Sequence, residues 1–170
     1  MTTDAPQPAP PEQLLRDFLR GATPQQRHTF VRGTNYDDGD PLIRFVLDDP
    51  ATDRATALCA YWMLGAGFHT RFASAADAQD HQRPTWELLR TIEERYAGGF
   101  WADHGIGFDP TDDEGGNWTT EYDGLAPVAR PVPGAMLRAA PGEPVVADDD
   151  TEDGLPLDVY EAYAALVLGD

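Results

Sequence analysis

Apolar residues recur at helical spacing along the first hundred positions and then lose that rhythm. Leu14, Leu15, Phe18 and Leu19 fall at i, i+1, i+4 and i+5, one face of a helix closed by Gly21. Thr23-Pro24-Gln25-Gln26 has the hydroxyl, early proline and third-position glutamine of a capping box, so a second helix runs through Phe30 and Val31 to Gly33. Asp40 can cap and Pro41 can begin a third, with Leu42, Ile43, Val46 and Leu47 as its stripe. Thr52 or Asp53 caps a fourth over 54–64, and its Ala55 to Met63 stretch leaves almost no polar face. A helix apolar all round belongs at the centre of a fold. Gly65-Ala66-Gly67 stops it and offers small residues for a close backbone approach.

Ser74 suggests a helix cap, and a helix through Asp77 and His81 is expected to break or restart at Pro84. Trp86, Leu88, Leu89, Ile92 and Tyr96 make the next core stripe, with Glu87, Arg90 and Glu94 outside, and Gly98-Gly99 ends it. From Phe100 to Gly154, glycine, proline and aspartate break every apolar run. Residues 118–122 and 128–132 have β-type composition, although Pro127, Pro131 and Pro133 confine any strand to an edge. The run 148–154 reads as a solvated acidic linker, and 155–168 as a final helix with Leu157, Tyr160, Ala164 and Val167 on its packed side. The pattern predicts a mainly α, compact single-domain helical fold over 11–170, with an irregular, acidic C-terminal half that has room for a short hairpin. Residues 1–10, rich in proline and small polar residues, are expected to be a disordered tail.

Charge changes the functional picture more than the fold. Thirty acids against twelve bases give a net charge of -18, every base is arginine, and aspartate outnumbers glutamate. Such a chain repels nucleic-acid phosphates and anionic membranes, so no nucleic-acid or membrane partner is expected. It attracts a basic protein, or answers a salt-rich cytoplasm in which dense surface charge preserves solubility. No span of eighteen apolar residues and no signal-peptide pattern occurs, which points to the cytoplasm. Cys59, alone in an apolar run, is expected to be a buried reduced thiol.

The run Asn35-Tyr36-Asp37-Asp38-Gly39 precedes a short apolar helix, then Thr52-Asp53-Arg54-Ala55-Thr56-Ala57-Leu58 and Tyr61-Trp62-Met63, and later Glu93-Glu94-Arg95-Tyr96 and Gly99-Phe100. In that order these features resemble a bacterial family catalogued as a domain of unknown function, number four-two-seven-four, over residues 28–109. Two departures from its pattern stand out. No tryptophan interrupts Tyr36 and Asp37, and Ala55 stands where the family has glycine. The resemblance implies no activity and no catalytic residues.

Candidate chemistry is sparse. Asn35, Tyr36, Asp37 and Asp38 gather an amide, a phenol and carboxylates in one turn, a candidate binding loop, although the same residues serve turns and caps. Neither Gly39 nor Gly154 sits in a calcium-loop register: the twelfth position would be Phe45 or Tyr160. The acidic loop 109–114 could hold a hard cation through Asp109, Asp112 and Asp113 with His104 or His81. The four histidines lack zinc spacing, and Asp77 with His81 makes at most one i, i+4 pair. No phosphate loop, nucleophile elbow or cofactor motif occurs, and nothing fixes an oligomeric state. The leading expectation is a non-enzymatic interaction module, in its sharper form an acidic immunity-type protein neutralising a basic partner. The alternatives are a metal-dependent hydrolase built on the 109–114 loop, and a stand-alone protein whose acidity reflects salt alone.

Overall fold

The computed structural model describes residues 9–36 and 41–169. Among them are seven α-helices: α1 (Pro10–Gly21), α2 (Pro24–Gly33), α3 (Pro41–Leu47), α4 (Arg54–Met63), α5 (Ala66–His69), α6 (Arg83–Ala97) and α7 (Leu157–Leu168). Two small sheets complete the fold. Strand β1 (Ile106–Gly107) lies parallel to β2 (Glu143–Pro144), and β3 (Thr151–Glu152) is antiparallel to β4 (Leu155–Pro156). The mainly α class expected from the pattern is what forms. Residues 1–8, most of the expected tail, lie outside the described residues.

Helix α4 is the centre because it has no solvent face. Every residue from Ala55 to Trp62 is buried, and α2, α6, the short α5 and β1 pack around it. Its start is fixed by Asp53, fully buried, whose Oδ1 accepts from the Ala55 amide at 2.7 Å while Oδ2 accepts from the His104 amide at 2.6 Å. One carboxylate thus caps the helix and pins the loop after α6 to it, so truncation to alanine removes a cap and leaves a second amide unpaired, about 2–3 kcal/mol. Thr52, the other cap candidate, instead donates from its hydroxyl to the Val46 carbonyl.

The flanking helices follow the stripes read from the sequence. Leu15 and Leu19 of α1 and Ile43, Val46 and Leu47 of α3 are buried. The capping box of α2 is complete: Thr23 Oγ1 accepts from the Gln26 amide, and Gln26 Oε1 accepts from the Thr23 amide. Arg27, also buried, donates to the Leu19 carbonyl at the end of α1 and to Asp49 Oδ2 at 2.7 Å, joining α1, α2 and the turn after α3.

Five expectations need correcting. Residues 74–82 are not helical beyond a single 3-10 turn at Ala75–Asp77. Ser74 and Asp77 do form a capping box, but the stretch has no apolar side chain larger than alanine to hold a helix down, and the chain is extended again at Ala78. Residues 118–122 are not a strand: Asn117 caps a 3-10 turn, Trp118–Thr120, through its side-chain oxygen. Residues 128–132 form no ladder, and their backbone is held by the Ala129 and Arg130 amides donating to the Thr70 carbonyl. Helix α7 turns Val159, Tyr160 and Tyr163 toward the core, while Leu157 and Val167 lie exposed. The supposed linker is partly the β3–β4 hairpin, whose two-residue turn, Asp153-Gly154, has both φ angles positive (49° and 77°).

On α6, Glu93 points inward. It is buried, accepts from the Tyr61 hydroxyl at 2.8 Å, and pairs with Arg90 at 2.9 Å and Arg130 at 2.8 Å. Burial, with the charge of Glu94 nearby, pushes its carboxyl up to about 7, and the hydrogen bond from Tyr61 opposes that by favouring the charged form. The network fastens the proline-rich stretch around Arg130 to α4 and α6.

Candidate functional site

Two clefts open side by side where α2 meets the C-terminal half. The first, of about 950 Å³, is floored by His28, Thr29, Arg32 and Gly33 of α2 and walled by residues 107–114, 139–147 and 151–154. The second, of about 890 Å³, lies between the start of α2, the 148–151 loop and the start of α7. Val145 and Val146 line both, and Val146 is 85% exposed, an apolar rib between the two. The arrangement depends on one backbone contact. Gly33, the last residue of α2, lies against Gly154 of the hairpin turn so closely that a Cβ on Gly33 would sit 2.5 Å from the Gly154 nitrogen.

The walls carry the negative charge. Asp109, Asp112, Asp113, Glu114 and Asp153 line the first cleft, and Asp148, Asp149, Asp150, Asp158 and Glu161 line the second. Arg32 is the one arginine among the lining residues, and Asp113 Oδ1 at 2.9 Å and Glu114 at 3.5 Å already hold it. Trp118 donates to the other oxygen of Asp113 at 2.8 Å. At least nine of the twelve arginines are engaged in ion pairs with acids of the chain. Ten of the thirty acids line the two clefts. The Thr111 hydroxyl and amide, both donating to Asp109 Oδ1, hold its carboxyl below the usual carboxylate range.

Below the first cleft, His28 is 2% exposed and its Nδ1 lies 2.9 Å from Thr56 Oγ1. Burial, with the positive charge of Arg32 beside it, pushes the imidazole down to about 4, so it is neutral at pH 7. Burial pushes the Cys59 thiol up to about 12; its Sγ rests on Met63 Sδ at 3.7 Å, a core thiol as expected.

The residues singled out from the sequence are dispersed. Tyr36 donates its hydroxyl to the Val31 carbonyl at 2.7 Å and packs against the core, Asn35 is exposed beside it, and Asp37, Asp38, Gly39 and Asp40 lie outside the described residues. Asp109, Asp112 and Asp113 share the first cleft, whereas His104 leaves them: its Nε2 lies 2.7 Å from the Ala51 carbonyl. His81 is exposed in a turn before α6 and shares no helix with Asp77. Among the described residues no three His, Cys, Asp or Glu side chains are grouped as a metal ion would require. His28, Arg32 and the 148–153 acids are not legible in the sequence as one site, because their meeting depends on the Gly33–Gly154 contact. The signal for it was Asp153-Gly154 itself, a dipeptide suited to a two-residue hairpin.

Fold and site together define a mainly α-helical domain with an acid-walled double cleft on one side. Residues 22–97, from α2 through α6, match the family described as Domain of unknown function (DUF4274), which bears out the resemblance with bounds shifted from the expected 28–109. Comparison with curated proteins and with solved structures gives no match. The matched segment supplies the floor of the clefts, His28 to Gly33, while their acidic walls lie beyond it. Among the described residues no helix is long and apolar enough to cross a membrane.

Proposed function

We propose that this chain is a non-enzymatic binding module that captures a basic protein partner, in the manner of an acidic immunity-type protein neutralising a cationic one. The observation that carries the reading is the separation of charge. The arginines are largely spent on internal ion pairs, while ten acids line two adjoining clefts that contain a single, already paired arginine. Such a surface steers a cationic partner and selects against anionic ones. The exposed Val146 between the clefts adds an apolar surface for the partner to cover.

The test is binding of a labelled arginine-rich peptide followed by fluorescence anisotropy across a salt series. Replacing Asp148, Asp149 and Asp150 with asparagine should weaken binding and flatten its salt dependence. Neutralising Glu87, Glu94 and Asp123, which lie outside both clefts, removes the same charge and should have the smaller effect. Equal losses from the two triple variants would show that net charge, not the clefts, draws the peptide.

A further inference from the structure

Strand β2 has β1 on one side and, among the described residues, no strand on the other. The chain runs on from it without turn or bend through Asp148. The Glu143 amide donates to the Gly105 carbonyl, so along this stretch the backbone groups of Glu143 and Val145 face β1, and those of Pro144 and Val146 face outward. Pro144 offers only a carbonyl there. Among the described residues nothing accepts from the Val146 amide or donates to its carbonyl, and this residue is the exposed rib between the clefts. Resting on the reading of the chain as a binder of basic proteins, we propose that the partner is held by an extended basic segment laid along residues 144–147 as a third strand, its backbone accepting from the Val146 amide and donating to the Val146 carbonyl.

Three features select that occupant. The edge is a fixed template: Gly107 and Gly142 pack backbone against backbone with no room for a Cβ on either, so β2 is pressed onto β1 before any partner arrives. Space is open beside the rib, since both clefts reach Val145 and Val146, and the side chains of an added strand, which alternate in direction, have room to enter. Charge decides which segment enters. Asp109 and Asp112 stand in one cleft and Asp148, Asp149 and Asp158 in the other, so a basic segment is drawn in, whereas a second copy of this chain would set its own acids against these. The Val146 side chain supplies an apolar cross-strand contact for the residue paired with it. Main-chain pairing is the basis of the attachment, and the carboxylates choose the charge of what attaches.

The experiment titrates full-length protein with a nonapeptide of alternating arginine and valine, and with two analogues of unchanged charge, one N-methylated at the arginines and the other at the valines. Each analogue loses the main-chain donors of one strand edge only. One should bind like the parent and the other about ten-fold more weakly, the order expected for losing a main-chain hydrogen bond. Hydrogen exchange of the unaltered protein supplies the second reading: the Val146 amide, open in the free protein, should exchange about ten-fold more slowly at saturating peptide. Two analogues that bind equally, or Val146 exchange that is unchanged at saturation, overturn the third-strand inference and leave the acidic-cleft reading standing. Absence of binding by the parent peptide at low salt overturns both.

Discussion

Gly33 and Gly154 touch backbone to backbone, 121 positions apart in the chain, and this contact closes the first cleft at one end. A Cβ on Gly33 would lie 2.5 Å from the Gly154 nitrogen and 2.6 Å from its Cα, and backbone cannot move aside as a flexible side chain can. Gly33→Ala should therefore cost about 1–3 kcal/mol, the range for overpacking, although alanine is the better helix former. Gly21→Ala is the control, since nothing lies within 4 Å of its Cβ position, and it should leave stability unchanged or slightly raised. Urea unfolding of the two variants makes the comparison.

Acid should weaken the fold through His28. The folded chain holds its imidazole neutral down to about 4, whereas the unfolded chain protonates near the ordinary 6.5. As pH falls through that window the unfolded state takes up the proton first, so the contribution is intact above pH 6.5 and lost on the way to 4. The loss is about 3 kcal/mol in full. Other groups titrate over the same range, so the measurement is a difference: the stability of His28→Gln relative to wild type should rise by about that amount between pH 7.5 and pH 4. A constant difference would show that the imidazole is not held neutral.

Glu93 links three elements, and its removal should be felt far from α6. Glu93→Ala leaves Arg90 and the Tyr61 hydroxyl buried without their acceptor, a loss of about 3 kcal/mol or more. It also releases Arg130, so the Ala129 and Arg130 amides, which donate to the Thr70 carbonyl, should exchange with deuterium faster in the variant than in wild type. Unchanged exchange would mean that the Thr70 carbonyl bonds hold this stretch unaided.

What could be read from the sequence divides along physical lines. Helices α1, α2, α4 and α6 were legible because each has its own stripe and its own stop or cap, as Thr23 with Gln26 and Asp53 show. Helix α7 was legible as a helix but not in its facing: it is apolar on nearly every side, so the pattern could not choose, and packing against α1 and the hairpin decides instead. Glu93 was invisible as a core residue because its partner Arg130 is 37 positions away. The site was the least legible part. Its floor comes from α2, its walls from loops more than 70 residues later, and no local pattern announces that meeting. The Asn35 turn drew attention for its density of polar groups, yet Tyr36, its largest side chain, spends its hydroxyl on the Val31 carbonyl.

The most direct test of the acid-walled double cleft as a binding surface is amide chemical-shift mapping of 15N-labelled protein titrated with an arginine-rich peptide at low salt. The account predicts saturable shifts gathered at Thr29, Gly107, Val145, Val146, Thr151 and Gly154, reversed by added salt. Shifts centred instead on the exposed faces of α1 or α6, or spread evenly over every acidic stretch, would contradict it.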